Sequence, residues 1–387
     1  MTSTAELLGA EMDDVVIVGG RCAGAATAML LARAGVSVRL VERARRLGDV
    51  VSGHLVKPAG AARLRRWGLL DDLLDGGTPP LRDRVLWADG EPLLVSGSAA
   101  ELPALAPRRP VLDAVLLQAA ADAGVTVELG AAVRGVIGKR GRVVGVATAN
   151  GDRAARLVIG ADGRNSRVAR AVGADYTAYT PAATFAYYTY WRGTRVTQLH
   201  AWLEQHLFVG MFPTNDRKTL VFYQAPAALF EGARREPMRR YLNTLQARPP
   251  LRELLGDGVI DEPLKGIRDL PTFFRQSAGA GWALAGDAGH HKDPLIARGI
   301  ADAFRDADLL AAATVAGWDT DLEAALGGYQ AARDAVAAPL AAANAALATL
   351  AAPSCDLLRR WQEMTALEAA LDPVEDPSPV PDEVRAS

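Results

Sequence analysis

Cysteine and histidine are scarce in this chain, and their scarcity limits the chemistry that the chain can carry. The 387 residues include two cysteines, Cys22 and Cys355, and five scattered histidines. Two cysteines that lie so far apart in sequence suggest no disulfide framework. The histidines show no Cys/His ligand spacing, which argues against a metal site. We therefore expect neither a disulfide-stabilised fold nor a metal cofactor.

A surplus of charge and a long apolar run are also missing. The formal net charge is −2, which gives no reason to expect nucleic acid or an acidic membrane surface as a partner. No run of about 18 apolar residues occurs, so no transmembrane helix is predicted. The N-terminal MTSTAELLGAEMDD lacks the basic and then apolar regions of a signal peptide. We expect a cytoplasmic protein, either a monomer or a homodimer.

Apolar residues, in contrast, are abundant. They make up 50% of the chain, which is enough for a large core. At about 150 residues per domain, the length predicts two domains, or one large domain with an insertion. The C-terminal stretch LDPVEDPSPVPDEVRAS is rich in proline and acid, and we expect it to be disordered.

The most informative stretch is residues 15–42, VVIVGGRCAGAATAMLLARAGVSVRLVE. It opens with an apolar run that predicts a buried strand, and a glycine-rich turn and a helical pattern follow. Gly35 stands where a helix C-cap is expected, and a second β-branched run ends on Glu42. Strand, glycine-rich turn, helix, strand and acid in this order are typical of a dinucleotide site. The alternative is an ordinary βαβ unit with a glycine turn.

Each position of this turn has a mechanical reason. Gly19 lets the chain leave the strand tightly, Gly24 lets the helix pack close to the strand, and the helix dipole favours a pyrophosphate. Glu42 can bind a ribose hydroxyl pair and disfavours a 2′-phosphate. Arg21 replaces the usual middle glycine, so its side chain either turns away or pairs with a phosphate. Cys22 is interpreted as a small packed residue rather than a nucleophile.

Residues 183–226 have a different character, because they are rich in aromatic residues and lack a helical period. We expect an antiparallel sheet outside the dinucleotide domain. Alternation predicts that one strand face carries Phe185, Tyr187, Thr189 and Trp191, and the opposite face Ala186, Tyr188 and Tyr190. Either the aromatic residues simply fill the core of the sheet, or one face lines a pocket for a flat apolar substrate.

Two later stretches also place acids at the ends of predicted strands. In LVIGADGRNSRVAR, residues 157–170, an apolar strand runs into Asp162, and Ser166 can cap the helix that follows. In residues 282–310, WALAGDAGHHKDPLIARGIADAFRDADLL, a strand ends near Asp287 and a loop leads to a helix. Ligands of α/β sheets bind at the carboxyl ends of strands. The positive end of the later helix would favour negative charge on a reduced flavin.

Together, GGRCAG with Glu42, ADGRNS and AGDAGHHKDPLIARGIADAF resemble the FAD-dependent monooxygenases of the p-hydroxybenzoate hydroxylase type. These are group A flavoprotein hydroxylases and epoxidases, related to geranylgeranyl reductase-like flavoproteins. The resemblance implies an α/β fold, with a Rossmann-like FAD-binding domain built on a parallel sheet, an antiparallel β-sheet substrate domain and C-terminal helices. The expected ranges are 1–80, 105–180 and 273–352 for the FAD-binding domain, 81–104 and 181–272 for the substrate-binding domain, 353–371 for a C-terminal helix and 372–387 for a disordered tail.

The resemblance also implies a set of FAD contacts. In this sequence they fall on Gly19, Gly20, Arg21, Cys22, Ala23, Gly24, Glu42, Arg43, Arg109, Val133, Asp162, Gly163, Gly286, Asp287, Pro294, Gly299 and Ile300. The implied reaction uses NAD(P)H to reduce FAD and O2 to form a flavin C4a-hydroperoxide. That species would oxygenate an apolar aromatic or polyketide-like molecule in secondary metabolism, as in antibiotic biosynthesis.

A catalytic base is less clearly indicated. His54 is the candidate for a base that deprotonates the substrate, because the resemblance places it in the segment that often borders the flavin in relatives. The alternative is a surface or structural histidine. His290 and His291 flank the flavin loop in sequence, and contacts with backbone or solvent are the simplest expectation for them.

The chain departs from the family pattern at Arg21, at Ala169, where an arginine is usual, and at Ala297, where a glycine is usual. The W-x-W-x-I-P run of flavin halogenases is missing, which disfavours halogenation. Two alternatives to a monooxygenase stay open. They are an FAD-dependent dehydrogenase or reductase of a small molecule, and a non-catalytic flavoprotein that binds a pathway intermediate.

Overall fold

The computed structural model describes residues 12–88, 90–96 and 102–373. Residues 374–387, which hold most of the predicted disordered tail, lie outside the described residues. Within the described ranges the chain forms mixed α/β structure with the predicted parallel sheet, antiparallel sheets and C-terminal helices.

The helices and strands are numbered in chain order. The helices are α1 (Cys22–Arg33), α2 (Pro58–Arg66), α3 (Leu70–Asp75), α4 (Arg109–Asp122), α5 (Arg167–Ala171), α6 (Phe230–Ala233), α7 (Pro237–Gln246), α8 (Pro249–Leu255), α9 (Gly299–Gly317), α10 (Leu322–Ala348) and α11 (Ser354–Leu371). The strands are β1 (Asp13–Val18), β2 (Val38–Glu42), β3 (Pro80–Leu81), β4 (Asp83–Ala88), β5 (Glu91–Ser96), β6 (Ala104–Leu105), β7 (Thr126–Leu129), β8 (Val133–Lys139), β9 (Arg142–Thr148), β10 (Gly151–Gly160), β11 (Tyr176–Thr180), β12 (Thr184–Arg192), β13 (Leu199–Glu204), β14 (Leu207–Thr214), β15 (Lys218–Pro226), β16 (Val259–Ile260), β17 (Lys265–Ile267), β18 (Thr272–Arg275), β19 (Ala278–Gly279), β20 (Trp282–Leu284) and β21 (His290–His291).

The first sheet is organised around β1. Its strand order is β19-β20-β10-β1-β2-β7, and the pairs from β20 to β7 are parallel. The run Val15–Val18 is buried on both sides, as expected for the centre of a parallel sheet. Helices α1, α4 and α9 contribute to the largest apolar core beside it. Strands β8 and β9 form an antiparallel hairpin, and β9 also pairs antiparallel with β10.

The second large sheet has the order β16-β12-β15-β14-β13-β4-β5, with β17 also paired to β12. Its strands pair antiparallel, except that β13 and β4 are parallel. We call it the substrate sheet, after the substrate domain that the resemblance implies for these residues. The predicted antiparallel sheet over residues 183–226 is therefore confirmed, and the strands of residues 83–96 join its edge.

The C-terminal helices bring the two sheets together. Helix α10 packs along α9, and α11 packs against β13 and β4 of the substrate sheet. Asp372, expected in the disordered tail, is instead buried just after α11 and pairs with Arg63 and Arg298. Among the described helices, none is both long and apolar enough to cross a membrane.

Candidate functional site

The turn between β1 and α1 can be built only with glycine at two positions. Gly19 has a φ of 109°, and a Cβ there would lie 2.4 Å from the carbonyl oxygen of Ala161. A Cβ on Gly24 would lie 1.8 Å from the carbonyl oxygen of Gly19. The turn, the end of β10 and the first turn of α1 are therefore in direct backbone contact. This confirms the mechanical reasons predicted for both glycines.

Glu42 closes the other side of this turn. Its side chain is buried, and its carboxylate accepts hydrogen bonds from the backbone N–H of Gly20 at 2.9 Å and of Ala44 at 2.8 Å. The carboxylate is thus held at the carboxyl end of β2, beside the glycine turn. Arg43 follows it and is exposed, whereas Val133 is buried at the start of β8.

Arg21 turns away from the axis of α1 toward α4. Its guanidinium forms an ion pair with Asp113 and donates to the carbonyl oxygen of Gly48 at 3.1 Å. Asp113 is fully buried and also accepts from Arg109 at 2.8 Å. Of the two orientations expected for Arg21, the structure shows the one directed away from the turn. No described side chain caps the N-terminus of α1, so its first N–H groups face the turn.

Cys22 lies next to Asp113, the carboxylate that pairs with both Arg21 and Arg109. Burial raises the pKa of its thiol to about 12, and Asp113 accepts a hydrogen bond from its Sγ at 3.6 Å. A thiol with such a pKa stays protonated, so the interpretation of Cys22 as a packed residue is confirmed. Its neighbour Ala23 is also buried, and a Cβ on Gly286 would lie 2.9 Å from the Cβ of Ala23. Gly286 therefore lets the third motif approach α1 closely.

In the second motif, Asp162 and Ser166 cap the helix that follows, α5. The carboxylate of Asp162 accepts from the Ser166 hydroxyl at 2.5 Å and from the Arg167 backbone N–H at 2.6 Å. Ser166 in turn accepts from the N–H of Ala169, so the predicted cap of α5 is confirmed. Gly163 follows with a φ of 78°. The motif still borders the turn, because a Cβ on Gly19 would lie 3.2 Å from the Cα of Asp162.

The third motif forms the loop that precedes α9. The backbone N–H of Gly286 donates a hydrogen bond to the Asp306 carboxylate at 3.0 Å. The negative charge of Asp287 contributes to the raised pKa of Arg109. A short 3-10 turn over Pro294–Ile296 then leads to Ala297, whose φ of 52° and ψ of 39° are left-handed. This conformation favours glycine, so the residue usual in the family would fit here without strain. Beyond it, Gly299 is exposed at the start of α9, and Ile300 is buried in the core.

The three motifs lie at one edge of the parallel sheet. The glycine turn follows β1, Glu42 ends β2, Asp162 follows β10, and Asp287 follows β20. The close backbone approach at the turn, the uncapped end of α1 and the carboxylate at the far end of β2 suit an elongated adenine dinucleotide. The residues present therefore fit FAD.

A cavity of about 260 Å³ borders the third motif at its loop of residues 294–297. One wall is the substrate sheet, a second is the loop of residues 294–297, and a third is α11. The lining includes Tyr188, Phe208, Phe212 and Phe222 from the sheet and Trp361 from the helix. The loop of residues 294–297 and the aromatic face of the substrate sheet thus border the same space.

The two faces of β12 have different surroundings: one packs in a core and the other lines the cavity, whereas a flat apolar substrate for that cavity stays a prediction. Phe185, Tyr187 and Trp191 pack with α7 and α8 in a core on the outer side of the substrate sheet. Ala186 and Tyr188 point the other way and line the cavity. Strand alternation predicted the two faces, and the tertiary structure decided which one packs and which one lines the cavity.

His54 is held by the protein rather than exposed to the cavity. It is 2% exposed, and its Nε2 lies 2.9 Å from the hydroxyl of Tyr190. Burial lowers the pKa of His54 to about 3, which makes it a weak base. Its neighbours Gly53 and Leu55 line the cavity, and the ring of His54 stacks on Tyr190. This arrangement favours the structural alternative.

The two histidines of the third motif, His290 and His291, differ from each other. His291 hydrogen bonds to the backbone carbonyl of Pro271, as expected. His290 instead lies 2.9 Å from the carboxylate of Asp306, so the expectation of a backbone or solvent contact is wrong for it. Asp306 also accepts a hydrogen bond from the backbone N–H of Gly286. His290 is therefore linked to Gly286 through the Asp306 carboxylate.

The sequence motifs predicted none of the charged residues that line the cavity, among them Lys57 and Glu368. Lys57 and Glu368 both line it, and they form an ion pair between residues 311 positions apart. Lys57 directly precedes the Pro58 that starts α2, which was a visible signal for a helix but not for a charge in a cavity. Nothing in the local sequence around Glu368 pointed to this position.

Comparisons with known proteins agree with this geometry. The FAD binding domain family matches residues 12–344. 6-Methylpretetramide 4-monooxygenase from Streptomyces rimosus is 32% identical over 42% of this chain, and the match spans 41% of that relative's length. Menaquinone reductase from Mycolicibacterium smegmatis is 28% identical over 81% of this chain and 78% of its own length.

A solved structure shows the same fold. PqsL, described as a probable FAD-dependent monooxygenase from Pseudomonas aeruginosa, has a TM-score of 0.75 at 23% identity. The superposition covers 91% of this chain and 100% of PqsL. At this level of identity the similarity concerns the fold alone.

Proposed function

The chain belongs to the FAD binding domain family, and from that premise we propose that it is an FAD-dependent monooxygenase that consumes NAD(P)H and O2. Its proposed substrate is an apolar aromatic or polyketide-like small molecule of secondary metabolism, as in antibiotic biosynthesis. The observation that carries the proposal is the cavity that the loop of residues 294–297 shares with the aromatic face of the substrate sheet.

The residues that would hold FAD follow from the three motifs. Glu42 would bind the adenosine ribose, and the turn from Gly19 to Gly24 would receive the pyrophosphate. Arg109, whose charge interacts with Asp287, would lie along the ribityl part. The loop of residues 294–297 would border the isoalloxazine.

When bound, FAD supplies hydride acceptance and oxygen activation, which side chains cannot provide. The chain itself contributes orientation and exclusion of water. Phe208, Phe212 and Phe222 make the cavity wall apolar, which favours a flat apolar substrate over water. The N-terminus of α9 directs its positive dipole end to the preceding loop and would stabilise negative charge there.

Oxygen incorporation tests the proposal directly. The purified holoprotein is given NADPH or NADH and a panel of aromatic and polyketide-like compounds under ¹⁸O2, and products are examined by mass spectrometry. The proposal expects substrate-dependent consumption of NAD(P)H and one labelled oxygen per product. Products that lack the label, or NAD(P)H oxidation that never depends on the added compound, would contradict it.

A reductase is the second candidate. It is favoured by the similarity to a menaquinone reductase, which extends over 81% of this chain. A reductase would convert its substrate with NAD(P)H under argon, where a monooxygenase forms no product. Anaerobic turnover therefore separates the two candidates.

A further inference from the structure

Lys57 and Glu368 form an ion pair in the wall of the cavity, whose other charged lining residues are Arg82, Asp83 and Arg84. Lys57 Nζ lies 2.6 Å from Glu368 Oε1 and also contacts Oε2. The side chains are 17% and 10% exposed, respectively, and both border the cavity. Lys57 enters from the start of α2, and Glu368 enters from α11.

Contacts other than this pair also hold α11 in place. Leu357 and Met364 anchor α11 in an apolar core, and Asp372 after its end pairs with Arg63 and Arg298 at 2.7 and 2.6 Å. Replacing a buried ion pair by apolar residues is often neutral or stabilising. A charged pair at a cavity wall therefore points to a ligand.

The charges around Lys57 favour a negative ligand atom. Burial lowers the pKa of Lys57, Glu368 opposes that shift, and the positive charges of Arg298 and Arg84 lower the pKa further. Arg84 also borders the cavity. Arg298 is already paired with Asp302 and Asp372, so of these two arginines it is Arg84 that an additional negative oxygen in the cavity would meet.

The rest of the wall describes the body of the ligand. Trp361 and Thr365 lie on the same face of α11 as Glu368, because they are spaced by four and three residues. Leu86, Phe208 and other apolar side chains complete the surroundings. The cavity therefore suits a mainly apolar molecule with one charged end.

We propose that Lys57 binds an anionic oxygen of the substrate and that Glu368 orients the ammonium group. The ligand class is an apolar aromatic molecule that carries one acidic group, which is either a carboxylate or an ionised phenol or enol. This inference rests on the proposed function in one respect, which is that the cavity is the substrate site.

The test uses the FAD-loaded protein and a pair of ligands matched in shape, 2-naphthoate and its neutral amide, 2-naphthamide. Calorimetry should show that the wild type binds the acid about tenfold more tightly than the amide, the effect expected of one charge-assisted hydrogen bond. Lys57→Met should remove this preference, and Lys57→Arg should retain most of it. Glu368→Gln should instead strengthen naphthoate binding, because it removes a negative charge.

These opposite effects separate ligand binding from a structural role. If the pair only supports the fold, Lys57→Met and Glu368→Gln would weaken both ligands alike. Lys139→Met, on the hairpin of β8 and β9, is the control and should leave both affinities unchanged. The proposal is overturned if the wild type shows no preference for the acid over the amide and if, in addition, the pKa of bound 4-nitrophenol is the same in the wild type and in Lys57→Met.

A second probe distinguishes the two kinds of acidic group. 4-Nitrophenol changes colour on ionisation, so its pKa can be titrated in the bound state. A lower pKa in the wild type than in Lys57→Met indicates a phenolate or enolate site. A naphthoate preference without this shift indicates a carboxylate site.

Neither measurement needs NAD(P)H or O2, so this inference and the proposed function can fail separately. A naphthoate preference in a protein that never incorporates oxygen would refute only the monooxygenase. Oxygenation of substrates without any acidic group, with Lys57→Met fully active, would refute only the role of Lys57.

Discussion

Arg21 shows how a single substitution in a glycine-rich turn is accommodated. The position usually held by a glycine carries a side chain that leaves the turn and is neutralised by Asp113. Because Asp113 also pairs with Arg109, removal of Arg21 leaves no unpaired buried carboxylate. The turn therefore keeps its shape without the arginine.

We accordingly predict that Arg21→Ala retains FAD. Flavin absorbance should elute with the protein on gel filtration in the same ratio as in the wild type. Gly24→Ala is the matched comparison, because its Cβ would lie 1.8 Å from the carbonyl oxygen of Gly19. It should lose FAD and about 1–3 kcal/mol of stability. Loss of FAD from Arg21→Ala would show that the side chain swings back to a phosphate.

His54 should make the stability of the protein depend on pH. Its pKa falls from 6.5 to about 3 on folding, so the unfolded state binds a proton that the folded state does not. Above pH 6.5 His54 is neutral in both states, and its protonation does not lower the free energy of unfolding. As the pH falls from 6.5 toward 3, protonation of the unfolded state progressively lowers the free energy of unfolding.

His54→Asn tests this dependence, because asparagine tolerates the φ of 36° at this position. Between pH 6.5 and about pH 4, urea unfolding should show a flatter loss of stability in the variant than in the wild type. Identical slopes would mean that His54 is protonated normally in the folded protein.

At the level of elements, the loop before α9 carries local backbone strain. Ala297 has left-handed φ and ψ angles, which cost a residue with a Cβ about 1 kcal/mol more than glycine. Gly299, two residues later, needs no such freedom, and a Cβ on it would meet no neighbour within 4 Å.

Ala297→Gly should therefore raise the free energy of unfolding by up to about 1 kcal/mol. Gly299→Ala serves as the control and should be neutral or slightly stabilising. Thermal unfolding of the two variants checks this. A destabilised Ala297→Gly would show that unfolded-state entropy outweighs the relief of strain.

Helix α11 depends on the ion pairs that follow it. Asp372 is 5% exposed and binds Arg63 and Arg298, which lower the pKa of its carboxyl. Asp372→Asn should cost about 1–3 kcal/mol, since each arginine keeps a second carboxylate, Asp308 or Asp302. Limited proteolysis should cut α11 faster in this variant. Unchanged proteolysis and unchanged stability would show that apolar contacts alone fix the helix.

At the level of the whole molecule, FAD would join elements that are distant in sequence. The predicted contacts come from β1, β2, β10, β20 and the start of α9, so bound FAD should stabilise the fold as a unit. At free FAD one hundred times its dissociation constant, the gain is about 2.7 kcal/mol. Calorimetry of the FAD-free and reconstituted protein should show a higher unfolding temperature with FAD, and an equal temperature would argue against binding at this edge.

Features whose contacts are local could be predicted from the sequence. The glycine turn, the cap of α5 by Ser166 and the alternation of β12 each depend on residues within a few positions of one another. The order of the three motifs then indicated the FAD-binding fold. Such features can be predicted because backbone geometry and strand alternation act over short stretches of chain.

The tertiary structure alone decided what depends on distant partners. Asp113, 92 residues from Arg21, set the direction of that arginine, and Glu368, 311 residues from Lys57, placed an ion pair in the cavity. The packing of α7 and α8 on one side of the substrate sheet left the other face for the cavity. These outcomes follow from which elements the topology brings together, and no local pattern encodes that pairing.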